Sequence, residues 1–180
     1  MAAEKMQALL HGEDIVSPKH ARSSISHQHV LAPKDRTKQK SGAVVRQLLV
    51  RAAQRLRDDG FFCRRLAVEV KWLGRARDDC TGKRRFFETQ DTGVLLHILQ
   101  DTWDEVPDLE PLRIGVAFSD LAPEQAHQPD LFDKPTDARL VAAVDELNAK
   151  FGKGAITYGA VRSGQTSKIA FQRVPKVKEF

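Results

Sequence analysis

Cysteine is scarce in this chain: Cys63 and Cys80 are its only two among 180 residues. Two thiols cannot build the disulfide framework of a small secreted domain, and these are not spaced like a zinc pair, so both are expected to be free. Long apolar runs are missing too, with none near the roughly 20 residues that a membrane helix needs. The opening MAAEKMQALLHGED lacks a sustained apolar core and a small-residue cleavage site, so it does not read as a signal peptide. No membrane is expected among the partners, and the cytoplasm is the expected location. His27 and His29 share one side of a short segment, but no third ligand follows nearby and zinc usually takes three or four. GAVRSGQT (159–166) nearly spells a phosphate-binding loop, yet Gln165 stands where the lysine must be and no amphipathic helix follows. Cys63 lies beside Arg64 and Arg65 without a histidine placed near it by sequence, which is a poor setting for a nucleophile. Asp58-Asp59 and Asp78-Asp79 fall at a helix end and in an expected hairpin turn, where aspartate serves turn chemistry. No metal or other cofactor is therefore expected for this chain.

What is present fits one main domain with a core, 41% hydrophobic and 29% charged. Its charges are segregated along the chain. Residues 19–90 hold 18 Lys and Arg against 7 Asp and Glu, whereas residues 91–150 hold 4 against 13. Surfaces without a charged partner tend to mix their signs, so this pattern suggests one face for a polyanion and another kept away from it.

Apolar periodicity sets out the elements. SSISHQHVL (23–31) alternates as a strand, with Ile25, His27, His29 and Leu31 on one side. From about Arg36 to Asp59, Val45, Leu48, Leu49, Ala52 and Leu56 recur at the helical period, with Gly60 as the stop. FFCRRLAVEVKWLG is a strand in which Leu66, Val68, Val70 and Trp72 alternate with Arg65, Ala67, Glu69 and Lys71. A turn over 75–82 is expected to lead into a second strand, KRRFFETQ. A helix over 93–106 precedes the strand LRIGVAFSDL (112–121), whose faces are Leu112, Ile114, Val116, Phe118 and Arg113, Gly115, Ala117, Ser119. DARLVAAVDELNAKFG reads as a third helix ended by Gly152, and AITYGAV as a last strand before a basic tail.

The order strand, helix, strand, strand, helix, strand is that of an α+β, ferredoxin-like split βαβ unit: a four-stranded sheet with two helices on one face. The extra C-terminal helix and strand follow it. The uncovered face would carry Arg65, Lys71 and Arg113 beside small residues, a surface suited to a sugar-phosphate backbone.

One loop is unusual. QPDLF (128–132) lies between two proline-marked breaks and places Leu131 and Phe132 where loops normally carry no large apolar residue.

ARSSISHQHVL, the basic helix ending in Gly60, RRLAVEVKW, KRRFFETQDT and LRIGVAFSDL together resemble the little-finger domain of Y-family translesion DNA polymerases of the DinB/UmuC type. The resemblance covers residues 9 to 180. It implies a remnant of the thumb domain and linker over 1–20, a DNA-binding core over 21–122, a clamp-binding loop over 123–135, and a C-terminal helix, strand and tail over 136–180. It implies two partners: duplex primer-template DNA and the bacterial sliding clamp. Family little fingers grip the duplex through backbone amides and basic side chains, which on this chain implicates Arg22, Ser24, Ser26, Lys71, Arg84, Arg85 and Arg113. Ala117 stands where some members carry a further basic residue. QPDLF is similar to the clamp-binding pentapeptide of bacterial polymerases, with Leu131 and Phe132 as buried anchors, Gln128 making orienting hydrogen bonds and Asp130 at the acidic position. The parent polymerase would use Mg, held by palm carboxylates with no counterpart before Leu9, so this chain alone is expected to be non-catalytic. Two other readings remain open: the C-terminal part of a catalytically inactive clamp adaptor, and a free-standing RNA-binding module. RNA modules stack bases on exposed sheet aromatics, and here Trp72 and Phe118 alternate with the core set.

Overall fold

A computed structural model describes residues 23–127, 138–152 and 154–159, and of these only the backbone at 75–80 and 138–139. The elements are β1 (Ser24–Val30), α1 (Lys38–Asp58), β2 (Phe61–Trp72), β3 (Arg75–Thr89), α2 (Thr92–Asp104), β4 (Pro111–Pro123) and α3 (Ala138–Phe151). Local chemistry marks the helix ends. Thr37 Oγ1 accepts from the Lys40 N–H at 3.4 Å and Asp91 Oδ1 from the Val94 N–H at 2.9 Å, each satisfying a donor that the first helical turn leaves without a partner. Gly60, at φ +70°, ends α1 in the left-handed conformation that glycine adopts without strain.

The fold is α+β, as the element order implies. The sheet is antiparallel in the order β1-β4-β2-β3. β4 therefore separates β1 from β2, and β2 separates β4 from β3, so two split βαβ units interleave. One sheet face, formed by Ile25, Leu66, Val68, Val70, Trp72, Ile114, Val116 and Phe118, packs against the apolar stripes of α1 and α2 to form a single core. Burial of one such large side chain stabilises by roughly 1.5–3 kcal/mol. Gly82, opposite Val68, lets the sheet approach α2 closely: a Cβ there would stand 2.6 Å from Thr102 Cγ2. α3 is tied back by Arg57, which donates to both carboxylate oxygens of Asp145 (2.6 and 2.9 Å), to Thr92 Oγ1 (2.8 Å) and to the Gln90 carbonyl (3.0 Å).

Two expectations need correction. The stretch 75–82 is not a turn: β3 begins at Arg75, and the chain reverses at Leu73-Gly74, with Gly74 at φ +73°. RARDDCTG has no apolar alternation because it lies on an edge strand, whose backbone pairs with β2 while its side chains need not be buried. Asp78-Asp79 accordingly lie on a strand. The expected last strand does not form over residues 155–159, which are turn and irregular; Ala160 and Val161 lie outside the described residues. Asn148 of α3 instead meets both backbone groups of Ile156, donating to its carbonyl at 3.1 Å and accepting from its N–H at 2.9 Å. Among the described residues, no helix is long and apolar enough to cross a membrane.

Candidate nucleic-acid interface

Strand alternation sends every second side chain to the face away from the helices. Paired positions form four rows across that face: Ser24–Ser119–Arg65–Arg85, Ser26–Ala117–Ala67–Lys83, Gln28–Gly115–Glu69–Thr81 and Val30–Arg113–Lys71. The middle rows are low. Ala117 and Ala67 fill one, and in the other a Cβ on Gly115 would meet Gln28 Cβ at 3.3 Å, so glycine keeps the surface shallow. Cations flank the trough at both ends, Arg65 and Arg85 at one and Lys71 and Arg113 at the other, with Lys83 on the edge strand. Arg65 and Lys71 are six residues apart on β2 and so stand about 20 Å apart at about 3.3 Å per residue. That distance spans about six base pairs of a duplex rising about 3.4 Å per step. Arg65, Lys83 and Arg113 make no ion pair among the described residues. Arg85 reaches Asp120 only at 3.9 Å while its side chain is 74% exposed, a contact that water largely screens.

Of the expected contact residues, Ser24, Ser26, Lys71, Arg85 and Arg113 come together on this face. Arg84 does not join them. It pairs across to Leu66 on the helix-covered face, and its guanidinium donates to Glu105 just past the end of α2. Neighbouring strand residues cannot share a face, so the doublet Arg84-Arg85 is divided between the two. Arg22 and the whole of QPDLF, with Gln128, Asp130, Leu131 and Phe132, lie outside the described residues. Lys83 and Phe87 belong to the open face but went unread; continuing the alternation from Arg85 in both directions along β3 would have found them.

Segregation of charge along the chain maps only in part onto the two faces. The arginines of α1 lie on the helix layer, where Arg57 meets Asp145, Arg55 approaches Asp59 at 3.8 Å and Arg46 donates to Gln100. The basic residues of α1 thus belong to the helix layer, with Arg51 and Arg55 exposed on it, while the cations of the open sheet face come from β2, β3 and β4.

At one end of the sheet Glu88 accepts from Arg64 and is bonded to His127 Nδ1, and the His127 ring stacks on Phe62 at 3.7 Å between centroids and 8° between planes. Burial pushes the Glu88 carboxyl up, but the hydrogen bonds and charges of His127 and Arg64 outweigh it and hold the group below the usual carboxylate range. Cys63 is fully buried, and that burial pushes its thiol up to about 12, so it remains protonated and is no nucleophile. His27 and His29 are half-buried at the core margin, and among the described residues no three metal-binding side chains converge.

Residues 22–131 match the impB/mucB/samB family C-terminal domain. The chain belongs to that family. It is a C-terminal domain of the Y-family polymerase type, and the four-stranded sheet with helices on one face is its fold. DNA polymerase IV of Moorella thermoacetica is 30% identical over 142 residues, covering 74% of this chain and 34% of that protein. The Y-family domain thus spans about a third of the length of this curated relative.

Proposed function

We propose that this Y-family domain is a non-catalytic module that grips the sugar-phosphate backbone of primer-template duplex across its open sheet face. In the same reading, residues 128–132 tether the parent translesion polymerase to the bacterial sliding clamp, in the cytoplasm, during damage bypass. One observation carries the DNA half: a trough of serine, alanine and glycine flanked by Arg65, Arg85, Lys71 and Arg113, with Lys83 at its edge. Five cations against the carboxylates of Glu69 and, beside Arg85, Asp120 make the surface complementary to a polyanion. The small residues let a backbone approach closely enough for charge-assisted hydrogen bonds. Recognition of this kind positions a duplex without reading its sequence.

The clamp half rests on the sequence QPDLF, which begins one residue after His127. Leu131 and Phe132 would be the anchors that fill a hydrophobic cleft on the partner.

Binding of the full chain to purified bacterial sliding clamp, wild type against Leu131→Ala/Phe132→Ala, tests the tether, with duplex titrations on the same two proteins. The double variant is expected to lose the clamp and keep the DNA. Wild-type protein that does not bind the clamp removes the tether from the reading, and an affinity for duplex that does not change with salt removes the grip.

A further inference from the structure

Phe87 follows Arg85 by two residues on β3, in the irregular stretch between the Arg65–Arg85 and Cys63–Thr89 pairs, and is 78% exposed, on the side away from the core. Its neighbour Phe86 points the other way and packs against the core. Isolated exposed apolar side chains are common on protein surfaces, so exposure alone carries nothing. Three further observations do.

The ring has company of one kind. Arg85 shares its face, and Arg65 lies directly opposite Arg85, so a large aromatic surface adjoins the cationic end of the trough. Neither guanidinium covers it: among the described residues, Phe87 makes no ring or cation contact. Its backbone is also pinned on both sides. Phe86 is held by the core, and Glu88 is locked by Arg64 at 2.5 Å and by His127. With the backbone beneath it fixed, only the side chain of Phe87 has to be ordered when something stacks on the ring.

From this geometry we infer that Phe87, with Arg65 and Arg85, forms a stacking platform for an unpaired DNA base next to the gripped duplex. The inference rests on the DNA-gripping reading above and adds a second ligand class, single-stranded nucleotide, to it. Bases inside a duplex already stack on one another and offer no face to an outside ring. An unpaired base does, and the two arginines neutralise the phosphates on either side of it. Charge complementarity selects this occupant over an apolar protein segment, which would have to bury Arg65 and Arg85 along with the ring.

The test compares wild type, Phe87→Ala and Phe87→Trp in the full chain, by fluorescence anisotropy on a blunt duplex and on the same duplex carrying a single-stranded oligothymidine overhang. Stacking of one base predicts that Phe87→Ala weakens overhang binding by about tenfold, leaves blunt-duplex affinity within about twofold, and leaves the salt slope unchanged. Phe87→Trp should restore the overhang preference, with its indole fluorescence quenched by the bound strand. Equal losses on both DNAs, no loss on either, or failure of tryptophan to restore the preference would overturn the platform while leaving the grip intact. Wild-type protein that binds neither DNA would overturn the grip, and the platform with it.

Discussion

Arg84 and Arg85 are adjacent, identical in chemistry and opposite in direction, which makes them a test of the facing that the sheet imposes. Each phosphate neutralised on B-DNA contributes about −0.9 to the slope of log K against log salt. Arg65, Lys71, Lys83, Arg85 and Arg113 all engaged would give a slope of about −4.5, or about a 500-fold loss of affinity between 50 and 200 mM salt. Arg85→Ala should bring the slope to about −3.6 and the loss to about 150-fold; at 0.1 M salt counterion release alone makes the variant about eightfold weaker. Arg84→Ala removes an exposed pair with Glu105 on the helix side and a 3.3 Å hydrogen bond to the Lys83 carbonyl. It should leave affinity and slope unchanged and reduce stability by less than about 1 kcal/mol. Anisotropy titrations on a blunt duplex across that salt range, with thermal melts of each variant, measure all of this. Equal slopes for Arg84→Ala and Arg85→Ala would refute the assignment of the grip to the open face.

Further outcomes follow from packing and burial. Gly82→Val drives a branched side chain into Thr102, where even a Cβ would stand at 2.6 Å, and should destabilise by about 1–3 kcal/mol in urea melts. Arg57→Ala strips α3 of its bidentate partner and leaves the Asp145 carboxylate unpaired. Amide exchange over 138–151 should rise well above that of the sheet, and global stability should fall by about 2–3 kcal/mol. In a Cys80→Ser background, Cys63 should resist thiol reagents at pH 8 until the protein unfolds. Its folded pKa of about 12 exceeds the ordinary 9.0, so its contribution to stability is fully present below about pH 9. Above that, the unfolded state gives up its proton first, and stability should fall by about 1.4 kcal/mol per pH unit toward pH 12. A urea melt series across that range, set against Cys63→Ala, isolates the effect.

The sequence was readable where a buried stripe recorded the period. The α1 stripe from Val45 to Leu56, and the alternations of Leu66 to Trp72 and Ile114 to Phe118, named both the elements and their inward faces. Reading failed where burial left no record. Residues 75–82 form half of β3 without apolar alternation, because an edge strand needs only its backbone paired. Ile156 and Tyr158 alternate like a strand, but the Asn148 amide took the backbone groups that a ladder would have used. Phe87 looked like half of an apolar pair, although alternation from Arg85 already sets it on the side opposite Phe86, which packs against the core.

By itself, then, the sequence determined the three helices, the four strands of the sheet, the composition of the core and the presence of a cationic strand face, since each follows from local periodicity and capping; it misplaced the start of β3 and added a strand after α3. It also carried the pentapeptide at 128–132. Tertiary structure alone decided that β4 lies between β1 and β2, which aligns Arg113 with Lys71 and Ser119 with Arg65 into rows. Any pairing order would satisfy the same local rules. The choice among them depends on contacts between residues far apart in the chain, such as those that set β1 and β2 on either side of β4.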